Sequence, residues 1–138
     1  MRWSPQQARE RFARSRVARL ATVSGTGQPH LIPVTFAVHE DTVATAVDAK
    51  PKSTRNLKRL ANIADNPKVC LLADDYDDDW ERLWWVRADA EARVVHDAPE
   101  RDAALERLAE RYPQYRRSPP DGPVILAEVH RWSGWSFR

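Results

Sequence analysis

Residues 16–47 read RVARLATVSGTGQPHLIPVTFAVHEDTVATAV, and this stretch decides the fold class. It holds three apolar, β-branched runs separated by short turn sequences, with no room for a helix between them. We predict strands over 16–23, 29–38 and 42–47. Strands joined this closely pair in antiparallel fashion, because a parallel crossover needs about a dozen residues or more.

Three helices and three further strands are predicted around this first sheet. Their ranges are 5–15, 54–65 and 99–112 for the helices, and 68–73, 82–96 and 124–132 for the strands. The first helix begins with a capping box, in which Ser4 is the N-cap, Pro5 the first helical residue and Gln7 the returning side chain. The order predicts one mainly β domain with flanking helices (α+β), spanning residues 1–138. Its six mostly antiparallel strands are able to close into a barrel.

Three local patterns give further expectations about packing. The helix predicted at 54–65 carries an apolar stripe that we expect to face the core. Its members are Leu57, Leu60, Ala61 and Ala64. The single cysteine, Cys70, lies in an apolar run and is expected to be buried. Residues 131–136 (RWSGWS) are expected to fold onto the body as a structural lid, with ligand contact as the alternative.

Composition argues against several classes of protein. Hydrophobic residues make up 42% of the chain, so a globular core is expected. The net charge is only +2, which does not indicate a nucleic-acid or membrane-surface partner. No apolar run approaches the roughly 20 residues of a membrane span, and the N-terminus has no signal-peptide pattern. We therefore expect a cytoplasmic protein.

The basic segment at residues 48–57 (DAKPKSTRNL) lies where a predicted strand hands over to a predicted helix. Lys50, Lys52 and Ser53 flank the start of that helix. Free N–H groups and the positive end of the helix dipole favour an anion there, commonly phosphate. Arg55 lies in the first helical turn, where a bound anion would offset its unfavourable position. The alternative is a solvated loop, and the segment lacks the glycines of a Walker loop.

A second candidate feature is the proline within the predicted strand HLIPVTF, residues 30–36. Pro33 has no N–H for a strand ladder and therefore belongs at a sheet edge or a bulge. The free backbone groups of an edge can pair with the polar rim of a planar heterocycle, while side chains pack against its face. The alternative is a plain edge strand without a ligand.

A third candidate feature is Trp85, an aromatic residue on the charged face of the strand predicted at 82–96. The alternation there places Trp84 and Val86 on one face and Trp85 and Arg87 on the other. An indole on a polar face either covers a ligand or packs against a partner subunit. Arg87 is suited to pair with a phosphate or with a partner carboxylate.

The sequence shows no constellation for acid–base, nucleophilic or metal chemistry. The acidic run at residues 77–79 lacks the ligand spacing, the glycine and the closing acid of a calcium loop. The four histidines have no metal-ligand spacing, so no metal site is expected. We assign no catalytic residue, and any difficult chemistry would belong to a bound cofactor.

Several segments in order resemble a known family. They are VARLATV (17–23), GQPHLIPV (27–34), KPK (50–52), NIADNP (62–67), DYDDDW (75–80) and LWWVR (83–87). This series resembles the pyridoxamine 5′-phosphate oxidase-like split β-barrel superfamily, and its last two segments are similar to the small deazaflavin (F420)-dependent oxidoreductase branch. The resemblance implies a six-stranded split β-barrel like that of FMN-binding proteins.

The resemblance also implies a homodimer with two cofactor sites at the subunit interface. The implied cofactor is F420, with FMN as the alternative, and the implied reaction is hydride transfer at C5 of the deazaflavin to a small-molecule substrate. The residues it implies for cofactor binding are Pro33, Val34, Thr35, Lys50, Lys52, Ser53, Trp85 and Arg87. The chain lacks the paired arginines that pyridoxamine phosphate oxidases carry at the phosphate site, which argues against that particular activity.

Three functional hypotheses remain open from the sequence. The first is an F420-dependent oxidoreductase acting on a small electrophile. The second is a protein of the same fold that binds FMN or deazaflavin as an oxidase-like protein, a carrier, or a heme-degrading or sensory relative. The third is a nucleic-acid module using Arg55, Lys58 and Arg59, against which the near-neutral net charge argues.

Overall fold

The computed structural model describes residues 1–47 and 54–138, with residues 54–57 described by their backbone alone. The strands in this part of the chain are β1 (Ala18–Val23), β2 (Pro29–Val34), β3 (Ala37–His39), β4 (Thr42–Ala46), β5 (Lys68–Asp75), β6 (Trp84–Val95) and β7 (Val124–Ser136). The helices are α1 (Pro5–Arg14), α2 (Thr54–Asp65), α3 (Pro99–Arg111) and α4 (Pro113–Arg117), with a 3₁₀ turn at Trp80–Arg82.

The strands form one antiparallel sheet in the order β2-β1-β5-β6-β7-β4-β3. Its two edge strands, β2 and β3, are joined by only two residues, Thr35 and Phe36. A flat sheet would place these edges about 29 Å apart, whereas the three peptide units of the link span at most about 11 Å. The sheet must therefore curl until the end of β2 and the start of β3 lie within that distance. No ladder joins β2 to β3 in the described residues, so the barrel is split at this seam.

This architecture confirms the predicted α+β split barrel but corrects the strand count from six to seven. The strand predicted at 29–38 is interrupted at Thr35 and Phe36, because side chains satisfy their backbone groups in place of a ladder. The Thr35 carbonyl accepts a bond from Thr45 Oγ1 at 2.8 Å. The Phe36 N–H donates to Tyr112 Oη at 3.2 Å, and the Phe36 carbonyl accepts from Arg111 Nη1 at 2.9 Å.

Helix α1 covers the inner face of the curled sheet. Ser4 Oγ accepts the Gln7 N–H at 3.2 Å and Gln7 Oε1 accepts the Ser4 N–H at 3.0 Å, which confirms the capping box. Phe12 is fully buried, with its ring centroid 4.7 Å from that of Phe36 and 5.4 Å from that of Trp132. Aromatic clusters of this kind contribute area and directional contacts to the core.

The apolar stripe predicted for α2 is confirmed at Leu60, which is half-buried against the core, and wrong at its two alanines. Ala61 and Ala64 are exposed, and the side chains that this helix buries are Arg59, Asn62 and Ile63. A long-range polar contact sets this orientation, since Asn62 Nδ2 donates to the buried Thr22 Oγ1 at 3.0 Å. The side chain of Leu57, also in the predicted stripe, lies outside the described residues.

The C-terminal lid predicted at 131–136 is also wrong, because β7 continues through this segment to Ser136. Trp135 lies opposite Trp85 in the β6–β7 ladder. Residues 1–3 then pair with the free edge of β7, through an Arg2–Trp135 bridge and a 2.9 Å bond from the Trp3 N–H to the Gly134 carbonyl. The segment therefore belongs to the sheet.

Two smaller expectations are corrected as well. Cys70 is half-buried and lies on the sheet face opposite the core, since its neighbours Val69 and Leu71 are the buried residues of β5. The prolines at 119 and 120 predict a loop over residues 115–122, but the first three residues of that range belong to helix α4. None of the helices in the described ranges has the length and apolar character that a membrane span requires.

Candidate functional site

The outer face of the sheet, opposite the core, carries the candidate site. Directly opposed residues of antiparallel strands point to the same face, so the registers define cross-strand rows. The first row is Arg2, Trp135, Trp85 and Asp74. The second row is Ser133, Arg87, Leu72, Arg19 and Pro33. The third row is Arg131, Asp89, Cys70, Ala21 and Leu31.

Three of the predicted site residues, Pro33, Trp85 and Arg87, lie on this outer face. Pro33 and Arg87 occupy the same row, separated by three strand spacings or about 14 Å. Trp85 and Arg87 contact each other, with the guanidinium carbon 5.4 Å from the ring centroid. Arg87 Nε is also 3.5 Å from Asp89 Oδ2. The sheet thus gathers residues that are more than 50 positions apart in sequence.

Val34 and Thr35 are placed differently from their neighbour Pro33. The Val34 side chain is in the core with 5% of its surface exposed, so only its backbone is available at the edge. Thr35 lies just beyond β2, and its Oγ1 is 2.7 Å from Tyr115 Oη. The prediction that Pro33 lies on an edge strand is confirmed, because β2 pairs with β1 alone among the strands of the described residues.

The predicted phosphate site of Lys50, Lys52 and Ser53 lies outside the described residues. The elements that flank it have the predicted types, with strand β4 before it and helix α2 after it. Val47, next after β4, is buried, and its N–H donates to the Pro123 carbonyl at 2.9 Å. The anion-binding role of the three residues stays a prediction.

A group of polar side chains on α2 and β2 comes together in a way that the sequence did not predict, although Lys58 and Arg59 were named there as candidates for nucleic-acid binding. Arg59 is buried with 7% of its surface exposed, and burial lowers its pKa while Tyr115 acts to raise it. Burial, then Lys58 and Arg59, lower the pKa of His30 below its usual value. His30 Nδ1 is buried and has no hydrogen-bond partner within residues 1–47 and 54–138. The only hint of this group in the sequence was that Arg59 follows Arg55 by four residues, which places two arginines on one side of the predicted helix.

Two cavities open at the Trp85–Trp135 pair. The first, which we call the aromatic cavity, has a volume of about 470 Å³. It is lined by Asp74, Tyr76, Trp80, Leu83, Trp84, Trp85, Trp135 and Phe137. The second, which we call the arginine cavity, has a volume of about 300 Å³ and contains Arg2, Arg87 and Arg131 among its lining residues. The sequence indicated Trp85 and Arg87, whereas Arg2 and Arg131 join them only through the strand register.

The acidic run beside the aromatic cavity has a local structural role. Asp77 Oδ1 accepts the Asp79 N–H at 2.8 Å, and Asp79 Oδ1 accepts the Glu81 N–H at 3.2 Å. Asp79 is thereby the N-cap of the 3₁₀ turn that leads into β6. Carboxylates committed to caps in this way stabilise the loop that forms one wall of the cavity.

Solved structures with the same fold come from several bacteria. An FAD-binding protein from Mesorhizobium loti is 19% identical, with a TM-score of 0.74 and coverage of 97% of this chain and 95% of that one. A conserved hypothetical protein from Mycobacterium tuberculosis is 23% identical, with a TM-score of 0.74 and coverage of 99% and 86%. An FAD-binding protein from Mycobacterium smegmatis is 22% identical, with a TM-score of 0.67 and full coverage of both chains.

Comparison at the level of sequence families gives a direct assignment. No curated protein matches the sequence. The sequence model of the pyridoxamine 5′-phosphate oxidase family, in contrast, matches residues 4–136, which is nearly the whole chain. The split barrel described above agrees with this match. The chain therefore belongs to the pyridoxamine 5′-phosphate oxidase family.

Proposed function

We propose that this protein is an F420-dependent oxidoreductase that transfers a hydride between a deazaflavin coenzyme and a small-molecule substrate. In the proposal, the cofactor lies at the interface of a homodimer. The observation that carries it is the outer face itself, where an edge strand containing Pro33 and a Trp85–Arg87 pair share one surface. Family membership and relatives described as FAD-binding proteins support a cofactor with a tricyclic, flavin-like ring.

The residues at the β2 edge fit such a ring. β2 has a neighbour on one side only, so alternate backbone groups of the strand point away from the sheet. A flavin or deazaflavin ring carries amide donors and acceptors along one rim, which these groups are able to bind. Pro33 offers a flat apolar surface beside them, and Thr35 offers a hydroxyl that already bonds Tyr115.

The positive groups of α2 fit the phosphate end of the same cofactor. In the proposal, Lys50, Lys52 and Ser53 hold the phosphate at the start of α2, where the helix dipole also attracts anions. Lys58 and Arg59 add positive charge further along that helix, as their effect on the pKa of His30 indicates. Charge-assisted bonds from these groups would set most of the cofactor affinity.

Large, partly exposed apolar side chains on the outer face support the proposed homodimer. Leu31 is 66% exposed, and Leu72, Trp85 and Trp135 are only half-buried within one chain. They lie among arginine side chains, and aromatic residues and arginine are both enriched in protein interfaces. A second copy of the chain would cover these residues and bring its own Trp85 and Arg87 towards the edge strand.

The cofactor supplies the hydride chemistry when bound, and the roles of the protein are binding, orientation and the exclusion of water. Pro33 and Thr35 would fix the ring, and Trp85 would cover it against solvent. We assign no protein acid or base to the reaction, so the substrate takes its proton from solvent.

A second candidate is an FMN-binding protein of the same fold, either oxidase-like or a non-catalytic carrier. The relatives described as FAD-binding favour this candidate, because their description names a flavin and not a deazaflavin. Binding of FMN without turnover of any acceptor by the loaded protein would support the carrier.

The phosphate assignment is tested by replacing both lysines, Lys50→Ala with Lys52→Ala. Each lost charge-assisted bond should cost about 1.5–3 kcal/mol of binding free energy, so the Kd for F420 should rise at least tenfold. Lys68→Ala is the matched control, because Lys68 is exposed at the start of β5. An unchanged Kd in the double variant would rule out the assignment.

The homodimer is tested separately by sedimentation equilibrium. The wild type should have the mass of two chains, and Leu31→Glu should shift it towards one chain, because a charge on the outer face would be buried without a partner. A wild-type protein that sediments as a single chain at micromolar concentration would contradict an interfacial site.

A further inference from the structure

The arginine cavity and the aromatic cavity together form a two-part surface that borders the proposed cofactor site and shares Trp85 and Arg87 with it. Trp85 and Trp135 belong to both cavities and lie directly opposite each other in the β6–β7 ladder. The two volumes, about 470 Å³ and 300 Å³, are each in the range of small-molecule pockets. A ligand able to use both needs one flat apolar part and one charged part.

The charge of the arginine cavity selects an anion. Arg87 Nε is 3.5 Å from Asp89 Oδ2, and Asp89 also lies opposite Arg131 in the β6–β7 ladder. Arg2 and Arg131 have no ion pair within the described residues, and both are exposed. Two guanidinium groups thus remain in excess over the one carboxylate. Guanidinium groups bind carboxylates in a planar, often bidentate geometry.

The walls of the aromatic cavity select a flat, apolar ligand part. Trp80 packs edge-on against Phe137 with ring centroids 6.1 Å apart, and Trp84 stacks on Trp3 at 6.2 Å. These contacts hold the ring walls in place before any ligand arrives. Indole and phenyl walls favour a stacked or edge-on ring in the ligand.

The one charged residue of the aromatic cavity does not make it a cation site. Asp74 Oδ1 is 3.7 Å from Arg19 Nη1, so its charge is offset by a neighbour on β1. The Arg11 guanidinium carbon lies 3.9 Å from the Trp84 ring centroid, so this ring already has a cation partner within the chain. The arginine cavity next door would also repel a cation.

We propose that these two cavities bind a planar aromatic or conjugated carboxylate, with its ring in the aromatic cavity and its carboxylate on Arg2 and Arg131. The proposal rests on the proposed function in one respect, since it names the class of substrate that would reach the bound cofactor. Arg2 pairs with β7 through its backbone and Arg131 is exposed, so replacing either side chain leaves the sheet contacts in place.

The test uses the purified protein without cofactor and two isosteric probes, 2-naphthoate and its neutral analogue 2-naphthamide. Titration calorimetry, with tryptophan fluorescence as a second signal, gives the Kd of each. We expect naphthoate to bind at least tenfold more tightly than naphthamide. Arg2→Gln combined with Arg131→Gln should abolish that difference, while Arg107→Gln on α3, a matched loss of charge elsewhere, should preserve it.

Three results would overturn the proposal. They are equal affinities for the two probes, an unchanged preference in the Arg2→Gln/Arg131→Gln variant, and loss of naphthoate binding when the protein is saturated with F420 or FMN. The last result would mean that the cavities receive an anionic group of the cofactor and not a substrate. A protein that binds naphthoate selectively but neither F420 nor FMN would defeat the proposed function and leave this binding site standing.

Discussion

Removal of a single hydroxyl, in Tyr112→Phe, should lower the unfolding free energy of the protein, because this hydroxyl holds the backbone at the split between β2 and β3. Tyr112 is 7% exposed and contacts the two-residue link between β2 and β3 from the end of α3. Its Oη accepts the Phe36 N–H at 3.2 Å and lies 3.1 Å from the Phe36 carbonyl and 2.9 Å from the Arg16 carbonyl. These contacts replace the ladder that a continuous strand would have.

The expected cost follows from the groups left behind. The Phe36 N–H is buried and would lose its partner, which costs about 1–3 kcal/mol. The single hydroxyl proton serves one of the two carbonyls at a time, and losing that bond adds about 0.5–1.5 kcal/mol. The Phe36 carbonyl keeps its bond from Arg111 Nη1, so no further penalty arises there. The total loss of unfolding free energy should be about 1.5–4.5 kcal/mol.

Urea denaturation at one fixed protein concentration measures this loss, and Tyr115→Phe is the matched control. Within the described residues, the hydrogen bond of Tyr115 Oη is to the Thr35 hydroxyl, at 2.7 Å, and that hydroxyl is able to rotate towards another partner. The control should therefore lose only about 0.5–1.5 kcal/mol. Equal losses in the two variants, or a loss below about 1 kcal/mol for Tyr112→Phe, would refute the idea that side-chain bonds hold the split.

Three further predictions concern separate parts of the fold. Gly134→Ala should lower the unfolding free energy by about 1–3 kcal/mol, because the added Cβ would lie 3.0 Å from Trp3 Cε3. Thermal melts should show a smaller loss when the same substitution is made in a Trp3→Ala background. Equal losses in the two backgrounds would contradict this contact. The unfolding free energy should fall as the pH is lowered through 6.5. Burial, Lys58 and Arg59 lower the pKa of folded His30, so the unfolded chain takes up its proton first. A pH series of urea melts in which His30→Gln kept the full slope of unfolding free energy against pH would refute this. Burial and then Asp89 raise the pKa of the Cys70 thiol to about 11. Iodoacetamide at pH 8 should therefore alkylate Cys70 roughly a hundredfold more slowly than a free cysteine. A rate equal to that of free cysteine would show that the thiol is not shielded.

The parts of the fold that sequence predicted correctly are those with a local physical cause. The capping box depends on residues within one helical turn. The two-residue alternation in β6 identified Trp85 and Arg87 as outer-face residues, and the missing N–H of Pro33 identified an edge strand. In each case the deciding interaction, or its absence, is written into neighbouring residues.

The failures arose where contacts distant in sequence decided the outcome. Thr35 and Phe36 are good strand formers, and only Arg111 and Tyr112, about 75 residues away, reveal that their backbone groups have other partners. Likewise α2 turns a polar face inward because Asn62 bonds a residue 40 positions earlier. No periodicity within a segment contains such information.

In the candidate site, too, the residues that sequence could not identify are those placed by contacts distant in sequence. Gly134, which was expected to lie in a C-terminal lid, is a residue of β7 whose missing side chain leaves room for Trp3. Arg2 and Arg131 join Trp85 only through the ladder, in which a bulge after Asp89 shifts the register of β7. An arginine at each end of the chain is thus brought to one cavity by pairing that the sequence alone does not specify.

The most direct test of the central claim is a side-by-side titration of the purified protein with F420 and with FMN, followed by ligand fluorescence. We expect F420 to bind more tightly than FMN, with one site per chain, because the interface of a homodimer would hold two equivalent sites. Tighter binding of FMN, or binding of neither compound, would contradict an F420-dependent oxidoreductase.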